Sequence, residues 1–293
     1  MNNQPLIACK SYAKINLFLD ILGIDRGMHN LLMVMQSVSL HDILEFFPEN
    51  RLGIFIESNN RDILENNIIQ KVYERLREDY PGKITKGFRI KIQKNIPLGA
   101  GLGGGSANAA VAIEIFNKFF KLGLKGEELI KFNYSIGSDV NFCYSGGTKC
   151  VSGKGEQMTG FFSPYKYFLL VYPDIHISTK EAYRLWDTQQ KKYQPLYKSA
   201  EEIGELKTLY NAFESIIFPM YPEIRQLKEK LLALGATHAL MTGSGSTVFG
   251  IFENKEVLNL AFLSIKKTYK NAVTARKINK GKSFLKNSVF FVD

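Results

Sequence analysis

In the stretch "GFRIKIQ", Phe88, Ile90 and Ile92 alternate with Arg89, Lys91 and Gln93, the period-two pattern of a strand with one buried face. "KINLFLDIL" and "RLGIFIE" are short, apolar and rich in β-branched or aromatic residues, and predict two more strands. Between them, "NNIIQKVYERLREDY" sets Ile68, Ile69, Val72, Tyr73 and Leu76 on one stripe, a helix that a sheet can accept as cover. The rhythm then changes. "YFLLVYP" predicts a buried strand, and "STKEAYRLW" a helix with Ser178 as N-cap and Glu181 in capping-box position. "PEIRQLKEKLLALGA" opens with Pro222 and closes with Gly235, as helices do. "HALMT" and "TVFGIF" predict strands around the turn "GSGS", "EVLNLAFLSIKKTY" predicts a helix and "AVTARKI" an extended segment. Strand, helices, strand, strand, helix, strand is the order of a split βαβ, ferredoxin-like unit. The expected fold class is therefore α+β, with a strand-rich domain over residues 1–160 and a ferredoxin-like one over residues 161–293. No internal repeat or low-complexity segment interrupts either half.

One loop stands out from this pattern. "KNIPLGAGLGGGSANAAVAIEIF", Lys94 to Phe116, holds five glycines in the seven residues from Gly99 to Gly105 and runs straight into a helical pattern expected to begin near Ser106. So much bare backbone costs conformational entropy, and it lets main-chain N–H groups approach a partner closely. A loop that enters a helix also brings unpaired N–H groups and the positive end of the helix dipole to one point, which favours an anion. The stretch is not a Walker loop, which needs Lys-Ser/Thr directly after the last glycine. "GAGLGG" meets the bare dinucleotide spacing, yet a proline precedes it and no alternating parallel βα pattern surrounds it. Tight helix–sheet packing is the plainer explanation; the density of glycines and the small residues Ser106, Ala107, Ala109 and Ala110 favour phosphate binding.

Composition narrows the field further. The chain has 293 residues, 45% of them hydrophobic and 23% charged, as expected of a soluble globular protein. Apolar runs such as Tyr167 to Tyr172 are far too short to span a membrane. "MNNQPLIACKSY" lacks the basic and apolar regions of a secretory signal, so a cytoplasmic location is expected. The three cysteines, Cys9, Cys143 and Cys150, and four scattered histidines fit neither a disulfide framework nor a zinc site. The net charge of +10 suits a nucleic-acid binder and a phosphate-handling enzyme alike. Much of it lies in the run Lys266 to Lys286, read as solvated surface, and no aromatic-and-basic sheet motif of an RNA reader is visible.

Further motifs join the loop. "AKINLFL", "GMHNL", "IPLGAGLGGGSANAA", "GSDVNF", "STKEAY", "NAFESIIFPMYPEI" and "MTGSGSTVFGIF" occur, from about residue 10 to about residue 280, in an order and spacing that resemble the GHMP kinase superfamily. Within it they are most similar to the family that phosphorylates 4-diphosphocytidyl-2-C-methyl-D-erythritol. The resemblance implies a ribosomal-S5-domain-2-like N-terminal domain, a ferredoxin-like C-terminal domain, ATP as co-substrate with Mg²⁺, and direct transfer to the 2-hydroxyl of a substrate bearing a cytidine diphosphate group, in isoprenoid precursor synthesis. It implies no nucleic-acid or membrane partner, and a monomer or weak homodimer. By the same resemblance Asp139 accepts the hydroxyl proton and Lys14 orients it and offsets charge. Alone, Asp139 would read as a turn-forming acid and Lys14 as an exposed strand lysine; membership of matching motifs raises both. Pro97, Leu98, Gly99, Ala100, Gly101, Leu102, Gly103, Gly104, Gly105, Ser106 and Ala107 would wrap the ATP phosphates, Ser106 reaching a phosphate or the metal. Lys94 and Asn67 match positions near the nucleotide base. Asn16, Met28, His29, Thr179 and Tyr183 match the substrate side. There are two departures: Met28 replaces an aromatic residue, and Asn141 replaces a proline beside Asp139. A thioether still lies favourably against a ring, at about 0.3–1.5 kcal/mol. Three other readings stay open: a different alcohol acceptor such as homoserine or mevalonate, a nucleic-acid-binding module, and a regulator that only binds ATP.

Overall fold

The computed structural model describes residues 4–25, 27–189, 193–204, 206 and 208–285; Lys286, the end of the basic run, lies outside them. The chain opens with a long hairpin, β1 (Ile7–Asp25) and β2 (Met28–Glu49), followed by β3 (Ile54–Ser58), α1 (Ile68–Asp79) and β4 (Gly87–Gln93). Then come α2 (Gly104–Phe119), α3 (Gly126–Ile136), α4 (Val140–Ser145) and the hairpin β5 (Thr148–Gly153) and β6 (Gln157–Gly160). Among the described residues the larger sheet runs β12-β1-β2-β4-β3, with β5 and β6 continuing from β2. The alternation in β4 buries Phe88, Ile90 and Ile92 as expected. "KINLFLDIL" marks only the middle of β1; the strand is 19 residues long because it also takes in "IACKSYA" before and "GID" after it, where Lys10, Ser11 and Gly23 interrupt the apolar signal.

Helix α2 is buried on nearly every side, Ala107 through Ile113 included, because "ANAAVAI" offers small or apolar residues all round. It lies between the sheet and α1, α3 and α4. An aromatic cluster of Phe46, Phe88 and Phe116, with ring centroids 5.1–6.2 Å apart, joins its end to β2 and β4. The helix starts at Gly104, two residues before Ser106, since Gly103 already turns the chain with φ 68°.

The second half contains β7 (Tyr167–Val171), α5 (Thr179–Gln189), α6 (Ala200–Ile203), β8 (Tyr210–Asn211), α7 (Glu214–Met220), α8 (Pro222–Ala233), β9 (His238–Met241), β10 (Val248–Phe252), α9 (Lys255–Lys266), β11 (Ala272–Arg276) and β12 (Lys282–Phe284). Its antiparallel sheet has the order β11-β7-β10-β9, the ferredoxin-like arrangement, with α8 packed on β9 and β10, and α9 on β7 and β11. Glu181 does not reach back to close a capping box; its carboxylate pairs with Arg184 at 2.6 Å. Two short strands beyond residue 160 return to the larger sheet: β8 lies parallel to β1 at Phe18 and Leu19, and β12 lies antiparallel to it at Cys9 to Ser11. The two sheets touch where β2 lies against β11, and the turn after β9 reaches β1 at Asn16, beside which the site forms.

Candidate active site

Register shifts between Tyr12 and Lys14 and between Asn16 and Phe18 interrupt the pairing of β1 with β2. Such bulges bend a strand and re-aim its side chains. The freed main-chain groups turn elsewhere: Lys14 N donates to Leu102 O of the glycine loop at 3.0 Å, and Asn16 N to Thr242 Oγ1 at 3.0 Å. Lys14 and Asn16, two residues apart, share a strand face, and Lys14 Nζ donates to Asn16 Oδ1 at 2.8 Å. The same Nζ lies 3.3 Å from Asp139 Oδ2, at the mouth of α4. Lys14 is not exposed: its side chain is 6% accessible, against 27% for Asp139, so the ammonium is walled in while the carboxylate faces the cleft.

Opposite them stands the glycine loop. Gly101 (φ 75°) could not carry a side chain, since a Cβ would fall 2.1 Å from Thr242 O; at Gly103 (φ 68°) it would fall 2.9 Å from Lys14 Cγ. Bare backbone is what lets loop, β1 and the turn after β9 meet. Gly103 has no side-chain cap, so the first N–H groups of α2 are left for an anion. The cleft so formed measures about 410 Å³ and is lined by every residue from Pro97 to Ser106, with Lys14, Asn16, Asp139, Thr179 and Tyr183 on the other walls.

The remaining matched residues fall differently. His29 flanks this wall: it stacks on Tyr183 with ring centroids 4.3 Å apart and holds Asp187 Oδ1 through Nε2 at 2.7 Å. Burial and the nearby charge of Asp139 push the Tyr183 phenol up, keeping it neutral. Ala107 is 1% exposed within α2 and does not line the cleft. Lys94 lies beneath the loop, its Nζ 2.8 Å from Asp42 Oδ2, because a buried ammonium needs a counter-charge. Asn67 caps α1, accepting from Ile69 N and donating to Ile63 O, which uses its polar groups. Met28 is 45% exposed at the start of β2, its sulfur 3.9 Å from Tyr134 Oη. Asn141, at the second departure, is buried and donates to Ile130 O at 3.2 Å, tying α4 to α3. The cysteines are free and buried, and burial pushes all three thiols up, Cys150 to about 11.

Other contributors escaped the sequence reading. Ser244 Oγ meets Thr179 Oγ1 at 3.0 Å, and Asn211 Nδ2 holds the same turn by donating to Met241 O (2.7 Å) and Gly243 O (2.8 Å). The "GSGS" turn was a visible signal for the first, and the motif "NAFESIIFPMYPEI" contained Asn211 and Phe213, which also lines the cleft, without showing what they touch; for Asp187 there was none, because it acts only once distant segments meet.

Comparison with known proteins shows the family to which the chain belongs. Residues 67–147 match the GHMP kinases N terminal domain and residues 189–271 the GHMP kinases C terminal domain. The 4-diphosphocytidyl-2-C-methyl-D-erythritol kinase of Caldanaerobacter subterraneus subsp. tengcongensis is 38% identical over 286 residues, covering 94% of this chain and 98% of its own length. That of Thermoanaerobacter pseudethanolicus is 38% identical over 283 residues, with 94% and 97% covered. A crystal structure of a 4-(cytidine 5'-diphospho)-2C-methyl-D-erythritol kinase superposes with a TM-score of 0.73 at 24% identity over 92% of this chain and 99% of that one, and the Methanococcus jannaschii mevalonate kinase with 0.67 at 14%, over 95% and 100%. These two share the fold. With such identity over nearly its whole length, the chain belongs to the 4-diphosphocytidyl-2-C-methyl-D-erythritol kinase family of the GHMP kinases, small-molecule kinases that use ATP as co-substrate.

Proposed function

We propose that this chain moves the γ-phosphoryl group of ATP to the 2-hydroxyl of 4-diphosphocytidyl-2-C-methyl-D-erythritol, in one in-line step. The observation that carries the reading is the Lys14–Asp139 pair, 3.3 Å apart, facing a cradle of free backbone N–H groups across one cleft. The Asp139 carboxylate takes the hydroxyl proton as the substrate oxygen bonds to the γ-phosphorus and the bridging oxygen departs with ADP. Lys14, held by Asn16, keeps that carboxylate aimed and offsets charge gathering on the phosphoryl oxygens. Thr179, Tyr183 and His29 would hold the substrate, with Tyr183 offering a face to the base.

Among the described residues no group of three or more His, Cys, Asp or Glu gathers as a self-sufficient metal site. The Ser106 hydroxyl beside a phosphate cradle fits Mg²⁺, which favours few protein ligands and takes the rest of its shell from phosphate oxygens and water. Held by Ser106 and the phosphates, the ion would neutralise phosphate charge and leave Asp139 free as the base. The domain division near residue 160 belongs to this reading, as does a cytoplasmic location, where ATP is plentiful; no described helix is long and apolar enough to cross a membrane. Met28, exposed where the family carries an aromatic residue, favours a second reading, a different small alcohol as acceptor. Coupled detection of ADP with the cytidine-diphosphate alcohol, homoserine and mevalonate offered separately tests both. The expected result is turnover on the first alone; turnover only on another would replace it.

A further inference from the structure

Two charged side chains outside the cleft have no part in the reaction, yet they are more deeply buried than the groups that do. The side chains of Lys94 and Asp42 are 4% and 0% exposed and meet at 2.8 Å. Asp42, on β2, also accepts through Oδ1 from Asn95 N at 2.8 Å and Ile96 N at 2.9 Å. Lys94 Nζ donates in turn to Ile96 O at 2.5 Å. One carboxylate therefore grips three consecutive residues just before Pro97, where the phosphate cradle begins. The ammonium also reaches the far end of the loop: a Cβ on Gly104, the first residue of α2, would lie 2.9 Å from Lys94 Nζ and 2.9 Å from Ile96 Cγ2. The pair thus fixes the near end of the loop to the sheet by hydrogen bonds and packs closely beneath its far end.

Stability alone does not explain such a pair. Burying two charges costs desolvation that their attraction does not dependably return, and apolar residues of like volume often serve as well. Burial presses the Lys94 ammonium toward its neutral form. Moreover, a cation at a helix N-terminus is repelled by the dipole, and only a counter-anion relieves this. Asp42 supplies one from below, and a phosphate would supply another from above. We propose that Asp42 and Lys94 form a strut that sets the height of the phosphate cradle, so that Lys94 serves ATP as a positioning residue without touching it. This rests on ATP occupying the cleft, and not on the identity of the acceptor.

The test is calorimetric titration of the whole protein, without acceptor, with the β,γ-imido analogue of ATP and with adenosine. Lys94→Met and the double variant Asp42→Asn/Lys94→Met, which leaves no unpaired buried charge, are compared with the unmodified chain. In both, triphosphate affinity should fall about tenfold, equivalent to roughly 1.4 kcal/mol, while adenosine affinity stays within about twofold. In turnover, KM for ATP should rise by a similar factor, with kcat at saturating ATP and KM for the alcohol nearly unchanged. Equal losses for triphosphate and adenosine would overturn the proposal, as would normal triphosphate affinity in the double variant. Failure of both variants to fold would assign the pair to stability and overturn it too. Because no acceptor enters the titration, a mistaken substrate would leave its result unaffected.

Discussion

The two walls of the cleft are made in opposite ways. The wall proposed for the phosphates comes from one continuous stretch, Pro97 to Ser106, and presents main chain. The wall proposed for the acceptor is assembled from side chains far apart in sequence: Lys14 and Asn16 on β1, Asp139 before α4, Thr179 and Tyr183 on α5, and Ser244 after β9, with His29 of β2 stacked on Tyr183. A phosphate needs only N–H groups and a helix end, which a local sequence can supply. Recognising an alcohol and taking its proton needs several functional groups at fixed angles, and no single segment can present them.

Changes on the acceptor wall should strike chemistry, and those on the phosphate wall nucleotide binding or folding. The largest effect is expected from Asp139→Asn: kcat falls by roughly 10²–10⁴-fold while ATP-analogue affinity holds. Persistent turnover in the folded variant, read by ADP release, would remove Asp139 as base. Gly101→Ala comes next. With φ at 75° and a Cβ 2.1 Å from Thr242 O, it should cost about 1–3 kcal/mol in urea unfolding and weaken ATP binding. A stable variant with normal affinity would show that loop and turn part easily. Asp187→Ala releases the His29 ring and should raise KM for the alcohol by about tenfold with KM for ATP unchanged, since an orienting hydrogen bond of this kind is worth about 1.5 kcal/mol. A rise in both constants would blur the division between the walls.

The smallest effect concerns α2 beyond the cradle. Burial works against the Glu114 carboxylate, but its partners Lys282 (2.7 Å) and Lys118 (3.0 Å) outweigh it and hold it below its usual 4.5. A depressed acid contributes stability above its unfolded value and loses it as pH falls through the folded one. The melting temperature should therefore drop on acidification below about pH 4.5, and less steeply in Glu114→Gln. Equal slopes would mean that the pair does not tie β12 to α2.

Much of this was legible beforehand where the information is local. The alternation of β4, the stripe of α1, the Pro222 and Gly235 limits of α8, and the glycine loop with its helix all follow from spacing and backbone preference. The pairing of Lys14 with Asp139 was inferred through resemblance alone. Taken singly, Lys14 looked like an exposed strand lysine, since exposure depends on what covers a strand, and here the glycine loop and the turn after β9 do so.

By itself, then, the sequence determined the local conformations, the ferredoxin-like order of elements and the glycine-rich entry into α2, because hydrophobic period and glycine content act within a few residues. Only the tertiary structure decided which polar groups are spent on structure and which face the cleft. Lys94 and Asn67 are engaged by Asp42 and by the first turn of α1, His29 leans on Asp187, and Asn211 holds the turn that bears Ser244. Each outcome is set by a partner tens of residues away or by the competition for hydrogen bonds in a buried place, where a polar group left unpaired is costly and so takes whatever donor or acceptor the fold brings nearest.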